Sequence, residues 1–228
     1  MTNDGVLRAS DLWAAGRVLA AEGLVNAFGH VSVRLDETTM VITPPVALGT
    51  LTADSAGDPV DLAADDLPAG TPKEAWIHVA IYRARPDVTA ICRAQPEHAT
   101  ALASAGVPIR PLHGQGSFLG AEVPVFEDSR LVRDASRAES LAAVLGSSEG
   151  LVMRGNGAVT VGSSLGEAVG RMWVLEKSAR MNSIAAAAGA PTPLPQSEQD
   201  AWAATSSELL GRIWTYLTDL HAPSKEPT

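Results

Sequence analysis

The sequence predicts an α/β fold, and three observations carry that reading. Through the middle of the chain, segments of helical and strand period alternate: a helix stopped by Pro86, an apolar strand over 88–92, then a helix opening near Pro96. Before them, residues 29–35 (GHVSVRL) alternate strictly and are followed by a second short strand over 40–43, which reads as a hairpin. The chain has 228 residues, 46% of them hydrophobic and 19% charged, enough to bury a sizeable core.

In chain order, Ser10 and Asp11 open a helix in which Leu12, Ala15, Val18 and Leu19 recur at helical spacing and which Gly23 stops. In the hairpin, Val31, Val33 and Leu35 share one face and His30, Ser32 and Arg34 the other. Residues 46–73, rich in Gly, Pro and Asp, read as connecting loop with a short strand around 59–62. Trp76, Ile77, Ala80 and Ile81 mark the helix before Pro86, and Pro96 is placed in the first turn of the helix that runs to Ala105. A strand over 123–126, a helix over 136–145 and two strand pieces at 151–153 and 158–161 around the turn RGNG follow. Ser164 and Glu167 form a capping-box pattern for a long helix to Ala188. After the linker APTPLP, Ser197 and Asp200 begin one last amphipathic helix with Trp202, Leu209, Leu210, Ile213, Trp214 and Leu217 on its apolar stripe. No internal repeat is visible, and the expectation is a single domain over 1–228 with the linker and helix at about 190–221.

A net charge of −9 without basic clusters argues against nucleic acid and anionic membranes as partners. A single cysteine, Cys92, excludes an internal disulfide framework and a Cys-rich zinc module, and is expected as a buried strand residue. The N-terminus MTNDGVLRAS lacks the charged and apolar regions of a secretory signal, and no segment has the roughly 18–20 apolar residues of a membrane span, so a cytoplasmic protein is expected. The glycine-rich GNGAVTVG has the spacing of neither a P-loop nor a dinucleotide fingerprint.

Four ordered blocks carry a more specific signal: GLVNAFGHVSVRLD at 23–36, MVITPP at 40–45, EAWIHVAIYRARPDVTAICRAQPEHATALA at 74–103 and LVMRGNGAVTVGSSLGEAV at 151–169. Together they resemble the class II aldolase/adducin family over roughly residues 10–185. The resemblance implies a three-layer α/β/α fold with a central mixed, largely antiparallel sheet, assembled as a homotetramer. It also implies a metal held by three histidines, at positions that here carry Arg93, Gln95 and Asn156. Arginine cannot coordinate a cation and repels one, so the expectation is no metal cofactor.

A guanidinium beside two amides suits a carboxylate or oxyanion instead. Arg93 is therefore expected to take over the electrostatic role of the metal, with Gln95 and Asn156 orienting the substrate; the alternative is an Arg93–Glu74 ion pair in an inactive pocket. Glu74 matches the family's acid/base glutamate, and His78, one turn later, is expected as a packed or surface residue. His30 stands where the sugar-phosphate aldolases carry asparagine, which resembles the branch with hydroxyphthalate-type decarboxylases. Pro72 and Lys73 replace the phosphate-binding serines, which argues against a phosphorylated sugar. His113 falls where the family reaches toward a neighbouring subunit's site, and His98 and Arg154 are further candidates to line the pocket.

The expected function is a metal-independent lyase acting on a small hydroxy or keto carboxylic acid, by decarboxylation or retro-aldol cleavage, with dehydration or cyclisation open to the same groups. Two alternatives stay open: an adducin-like, non-catalytic binding protein, and a metal or iron enzyme whose ligands have moved to His30, His98 or His113 with Glu74.

Overall fold

Because successive side chains on a strand point to opposite faces, one sheet can serve two cores, and here it does. The computed structural model describes residues 9–52, 55 and 57–222. The reading of the N-terminal MTNDGVLR concerns residues outside the described ones.

The strands are β1 (His30–Arg34), β2 (Thr39–Ile42), β3 (Asp58–Asp61), β4 (Ala90–Ala94), β5 (Val125–Phe126), β6 (Gly150–Met153) and β7 (Gly157–Gly162). They form a seven-stranded sheet in the order β3-β2-β1-β4-β7-β6-β5. Every neighbouring pair is antiparallel except β5 with β6. The helices are α1 (Ala9–Ala21), α2 (Ala75–Ala84), α3 (Glu97–Ser104), α4 (Ala135–Leu145), α5 (Leu165–Ala188), α6 (Gln196–Ala203) and α7 (Ser206–His221).

One face of the sheet buries Val31, Val33, Cys92 and Ala94 under α1, α3, α5 and α7. The other buries Met40, Ile42, Ile91, Val159 and Val161 under α2 and α4. This is the three-layer α/β/α arrangement with a mixed, largely antiparallel sheet. None of the described helices is long and apolar enough to cross a membrane.

Several local expectations shift. The central strand β4 runs over 90–94, two residues later than its apolar run, because the Val88 N–H closes a turn on the Arg85 carbonyl at 3.2 Å. Pro96 caps α3 from outside rather than sitting in its first turn. The capping box at α5 is half formed: the Glu167 N–H donates to Ser164 Oγ (3.2 Å), but the Glu167 carboxylate accepts from the N–H and hydroxyl of Ser163. The last helix is two helices rather than one beginning at Ser197. The first is capped at Pro195, and the Thr205 hydroxyl and N–H both turn back on the Trp202 carbonyl to close it.

Two glycines fix the sheet where it meets the site. Gly157 has φ +90°, and a β-carbon there would lie 2.2 Å from the Ala94 carbonyl oxygen. Gly29, just before β1, has φ +148° and would place one 2.6 Å from Val25 Cγ1. Both positions exclude other side chains by conformation and by contact.

Candidate active site

The site begins with two periods that meet. On β1 the spacing of two puts His30 and Ser32 on the α2 face of the sheet. On α2 the spacing of four aligns Glu74, His78 and Tyr82 along one stripe that faces them. The result is a continuous buried polar seam. His30 Nδ1 lies 2.6 Å from His78 Nε2, His78 Nδ1 lies 2.6 Å from Ser32 Oγ, and Ser32 Oγ lies 2.9 Å from the Tyr82 hydroxyl. At the far end the Arg34 guanidinium stacks 4.7 Å from the Tyr82 ring centre and donates to the carbonyls of Tyr82, Arg85 and Val88. His78, Ser32 and Tyr82 are all buried.

At the near end, β4 and the β6–β7 turn bring in charge. Antiparallel register sets Arg93 opposite His30. Arg93 is 1% exposed, and its Nη2 pairs with Glu74 Oε2 at 3.0 Å while donating to Asn156 Oδ1 (2.9 Å) and to the Asn156 carbonyl (3.1 Å). Asn156 in turn donates from Nδ2 to Glu74 Oε1 at 3.2 Å. Glu74, Arg93 and Asn156 therefore close a triangle. His30 Nε2 stands 4.0 Å from Glu74 Oε2, an electrostatic contact too long for a hydrogen bond.

These contacts set the ionisation of the groups. Burial alone would raise the Glu74 carboxyl, but His30, Arg93 and Asn156 outweigh it and hold it at about 2. Burial lowers His30, and the Arg93 charge adds to this against the opposing pull of Glu74. Burial and its cationic surroundings lower His78 well below the ordinary histidine range. Near neutrality the site thus holds an ionised carboxylate, a guanidinium and two neutral imidazoles.

His30 and Glu74 open onto a pocket of about 240 Å³ walled by Phe28, Pro45 and Val46, with Lys73 and Arg133 also lining it. Neither cation makes an ion pair or hydrogen bond within the described residues. Gln95 and Asn156 line a separate groove behind the triangle, together with Asn26 and Glu97. Gln95 is held by its backbone N–H on the Leu24 carbonyl (2.8 Å), and its Oε1 is buried without a partner.

Of the residues singled out in the sequence, the structure gathers Glu74, His30, Arg93 and Asn156, and leaves Gln95 adjacent. Arg93 is not an open receptor: its one paired nitrogen is engaged by Glu74 and Asn156, and its Nε and Nη1 are buried without partners. Two expectations fail, at His98 and Arg154. His98 does not line the pocket, because its Nδ1 meets Glu176 Oε1 on α5 at 2.7 Å. His113, expected to reach toward a neighbouring subunit's site, has Nε2 3.0 Å from Ser178 Oγ within its own chain. Arg154 adds no charge to the pocket, since Glu127 takes it through both carbonyl and carboxylate. Among the described residues of a single chain, His98 and His113 thus stand apart from His30 and Glu74, and this chain alone does not gather the four as ligands.

Sequence reasoning read His78 only as a packed or surface residue, and passed over Ser32, Tyr82 and Arg133 as members of the site. The signal for the first three was present: polar residues at i, i+4 and i+8 of EAWIHVAIY face polar residues at i and i+2 of HVS. Arg133 sits in a loop with no period to announce it.

Residues 10–183 match the class II aldolase and adducin N-terminal domain. The chain is 36% identical over 199 residues to 3,4-dihydroxyphthalate decarboxylase of Terrabacter sp. (strain DBF63), covering 79% of this chain and 82% of that protein. It is 26% identical over 193 residues to decarboxylase tropJ of Talaromyces stipitatus, covering 73% and 72%. Among solved structures, L-fuculose 1-phosphate aldolase from Glaciozyma antarctica PI12 superposes with a TM-score of 0.78 at 22% identity, covering 93% of this chain and 88% of that one. The corresponding aldolase from Thermus thermophilus gives 0.69 at 31% identity, covering 78% and 96%.

Proposed function

We propose that this chain, which belongs to the class II aldolase and adducin family, is a decarboxylase-type lyase acting on a small hydroxy or keto carboxylic acid without a divalent metal. The observation that carries the reading is a pocket with His30 and Glu74 at its inner end and, among its walls, two cations that find no counter-ion among the described residues, Lys73 and Arg133. Relatives named as decarboxylases support the reaction class.

The residues at the family's metal-ligand positions do not fit a cation. Arg93 brings a fixed positive charge that cannot be discharged, and at 4 Å it would repel each unit of metal charge by about 4 kcal/mol at an effective dielectric near 20. It already neutralises Glu74. The reaction is therefore written through the protein's own groups.

Decarboxylation replaces a carbon–carboxylate bond with a carbon–hydrogen bond, so the substrate carboxylate plus one proton gives product and carbon dioxide. The electron pair of the breaking bond passes into a carbonyl beta to the carboxylate, or into a ring protonated at the carbon that loses it. The proton is delivered by a positioned acid. Glu74 is too acidic to carry that proton near neutrality, which leaves His30: its neutral ring takes up a proton from a substrate hydroxyl or from solvent, Glu74 stabilises the imidazolium so formed, and the imidazolium passes the proton to the carbon and returns to neutral. Lys73 and Arg133 suit an anionic or hydroxyl group that stays on the substrate, since gripping the departing carboxylate would stabilise the ground state and slow its loss. Phe28, Pro45 and Val46 give the pocket flat apolar walls for a planar acid.

The test is carbon dioxide release from a panel of hydroxy-aromatic and β-keto acids by protein of measured metal content, before and after chelation. Release that survives chelation is expected. Loss of activity on chelation with recovery on adding a divalent metal overturns metal independence, and no release from any member of the panel overturns the decarboxylase reading. The homotetramer expected from the resemblance belongs to the same proposal, and light scattering in solution checks it.

A further inference from the structure

We propose that His78, Ser32 and Tyr82 are positioning residues that fix His30 in the neutral tautomer carrying its hydrogen on Nε2, presenting that N–H to Glu74 and the pocket. The catalytic use of this N–H rests on the lyase reading above; the tautomer is a property of the resting protein and does not.

The hydrogens along the seam are few enough to count. A neutral imidazole has one donor and one acceptor nitrogen, and a hydroxyl donates once. His30 Nδ1 and His78 Nε2 are 2.6 Å apart, so one of them carries a hydrogen and the other accepts it. That leaves two directions for the whole chain.

In the first, His30 donates to His78, His78 to Ser32 and Ser32 to Tyr82. Tyr82 is then left with the Thr89 carbonyl at 3.4 Å, and His30 turns a lone pair on Nε2 toward an ionised carboxylate 4.0 Å away. In the second, Tyr82 donates to Ser32 at 2.9 Å, Ser32 donates to His78 Nδ1 at 2.6 Å, and His78 Nε2–H donates to His30 Nδ1 at 2.6 Å. His30 then carries N–H toward the carboxylate. The second direction uses only short contacts and replaces a lone-pair repulsion with an attraction, in a buried site where such a difference is weakly screened.

The groups facing His30 agree with it. Glu74 and His78 come from α2 and its start, and Arg93 from β4. Lys73 and Arg133 line the same pocket. Glu74 alone among them is anionic, and it lies on the Nε2 side. The seam ends on Tyr82, whose hydroxyl burial keeps protonated and therefore a donor.

Nitrogen-15 spectra of the full-length protein with labelled histidine read the tautomers directly, with His30→Gln and His78→Gln supplying assignments. Expected is a protonated Nε2 and an unprotonated Nδ1 on His30 at neutral pH. A His30 protonated on Nδ1, singly or as imidazolium, overturns the proposal with no variant needed. Ser32→Ala removes the donor that polarises His78 and should give mixed tautomers on both rings. It should lower kcat on the order of tenfold and move its pH profile, with little change in KM. His78→Gln, which keeps a donor and an acceptor, should retain Nε2–H on His30. A single unchanged tautomer in Ser32→Ala overturns the assignment, and Tyr82→Phe serves the same purpose if Ser32→Ala does not fold. Wild-type protein with the expected tautomer but no decarboxylase activity defeats the lyase reading and leaves this one standing.

Discussion

The two faces of the β1–β4 pair are equally dry and chemically opposite. Toward α5 they present Val31, Val33, Cys92 and Ala94; toward α2 they present His30, Ser32 and Arg93, all within 5% exposure. Burial therefore does not distinguish a core from a site here. What distinguishes them is determinacy. Apolar contacts are non-directional and tolerate small readjustments, whereas each buried polar atom demands a partner at a set distance and in a set donor direction. The α2 face meets that demand along the seam and leaves it unmet where the pocket begins, at His30 Nε2 and at Arg93 Nε and Nη1.

The largest effect should come from breaking the charge balance on the polar face. Arg93→Leu leaves Glu74 buried without its counter-ion and is expected to cost about 3–5 kcal/mol in urea unfolding. Adding Glu74→Gln should recover part of that loss, because the two residues act as one unit. Purely additive costs would show that the pair is not the unit described. On the apolar face, Leu175→Ala empties a fully buried site under the same sheet. The expected loss is about 2–4 kcal/mol, and it should be the same at every pH.

The pH response sharpens the contrast next. His30 and His78 are both held below the ordinary value of 6.5. As pH falls through 6.5 toward their folded values, the unfolded chain binds more protons than the native one. Stability is thus fully present above 6.5 and declines below it, by up to about 1.4 kcal/mol per pH unit for each histidine. Glu74, ordinarily at 4.5 and held at about 2, adds a second decline as pH falls through that interval. Stability curves between pH 8 and 5 should flatten in His78→Leu and keep their slope in Leu175→Ala. Equal slopes in both variants would remove the histidines from the account. Smallest of all, Arg154→Ala should change stability by under about 1 kcal/mol and leave catalysis alone, since its ion pair with Glu127 is exposed.

Much of this was legible before any coordinates. The family resemblance of the blocks at 74–103 and 151–169 was enough to bring Arg93 and Asn156 to Glu74, whereas strand period alone says only that Arg93 and Gln95 share a face. The seam was harder. His78 in EAWIHVAIY reads as an ordinary packed histidine until its partner strand is known, and only the pairing of β1 with β4, beneath α2, puts Ser32 within reach of it. His98 misled for the converse reason: its partner, Glu176, comes from a helix 78 residues further along the chain. No local pattern records a contact of that range. The last helix was read as continuous because its apolar stripe continues, while the break at Thr205 depends on one hydroxyl choosing the Trp202 carbonyl.

Cys92 lies back to back with Arg93 on the same strand, fully buried, with its thiol pushed up by desolvation. It is the only sulfhydryl in the chain. A thiol reagent can reach it only when the middle of the sheet parts, so its labelling rate clocks that opening event. A substrate acid held between His30 and Lys73 on the opposite side would then announce its own residence as a slower clock.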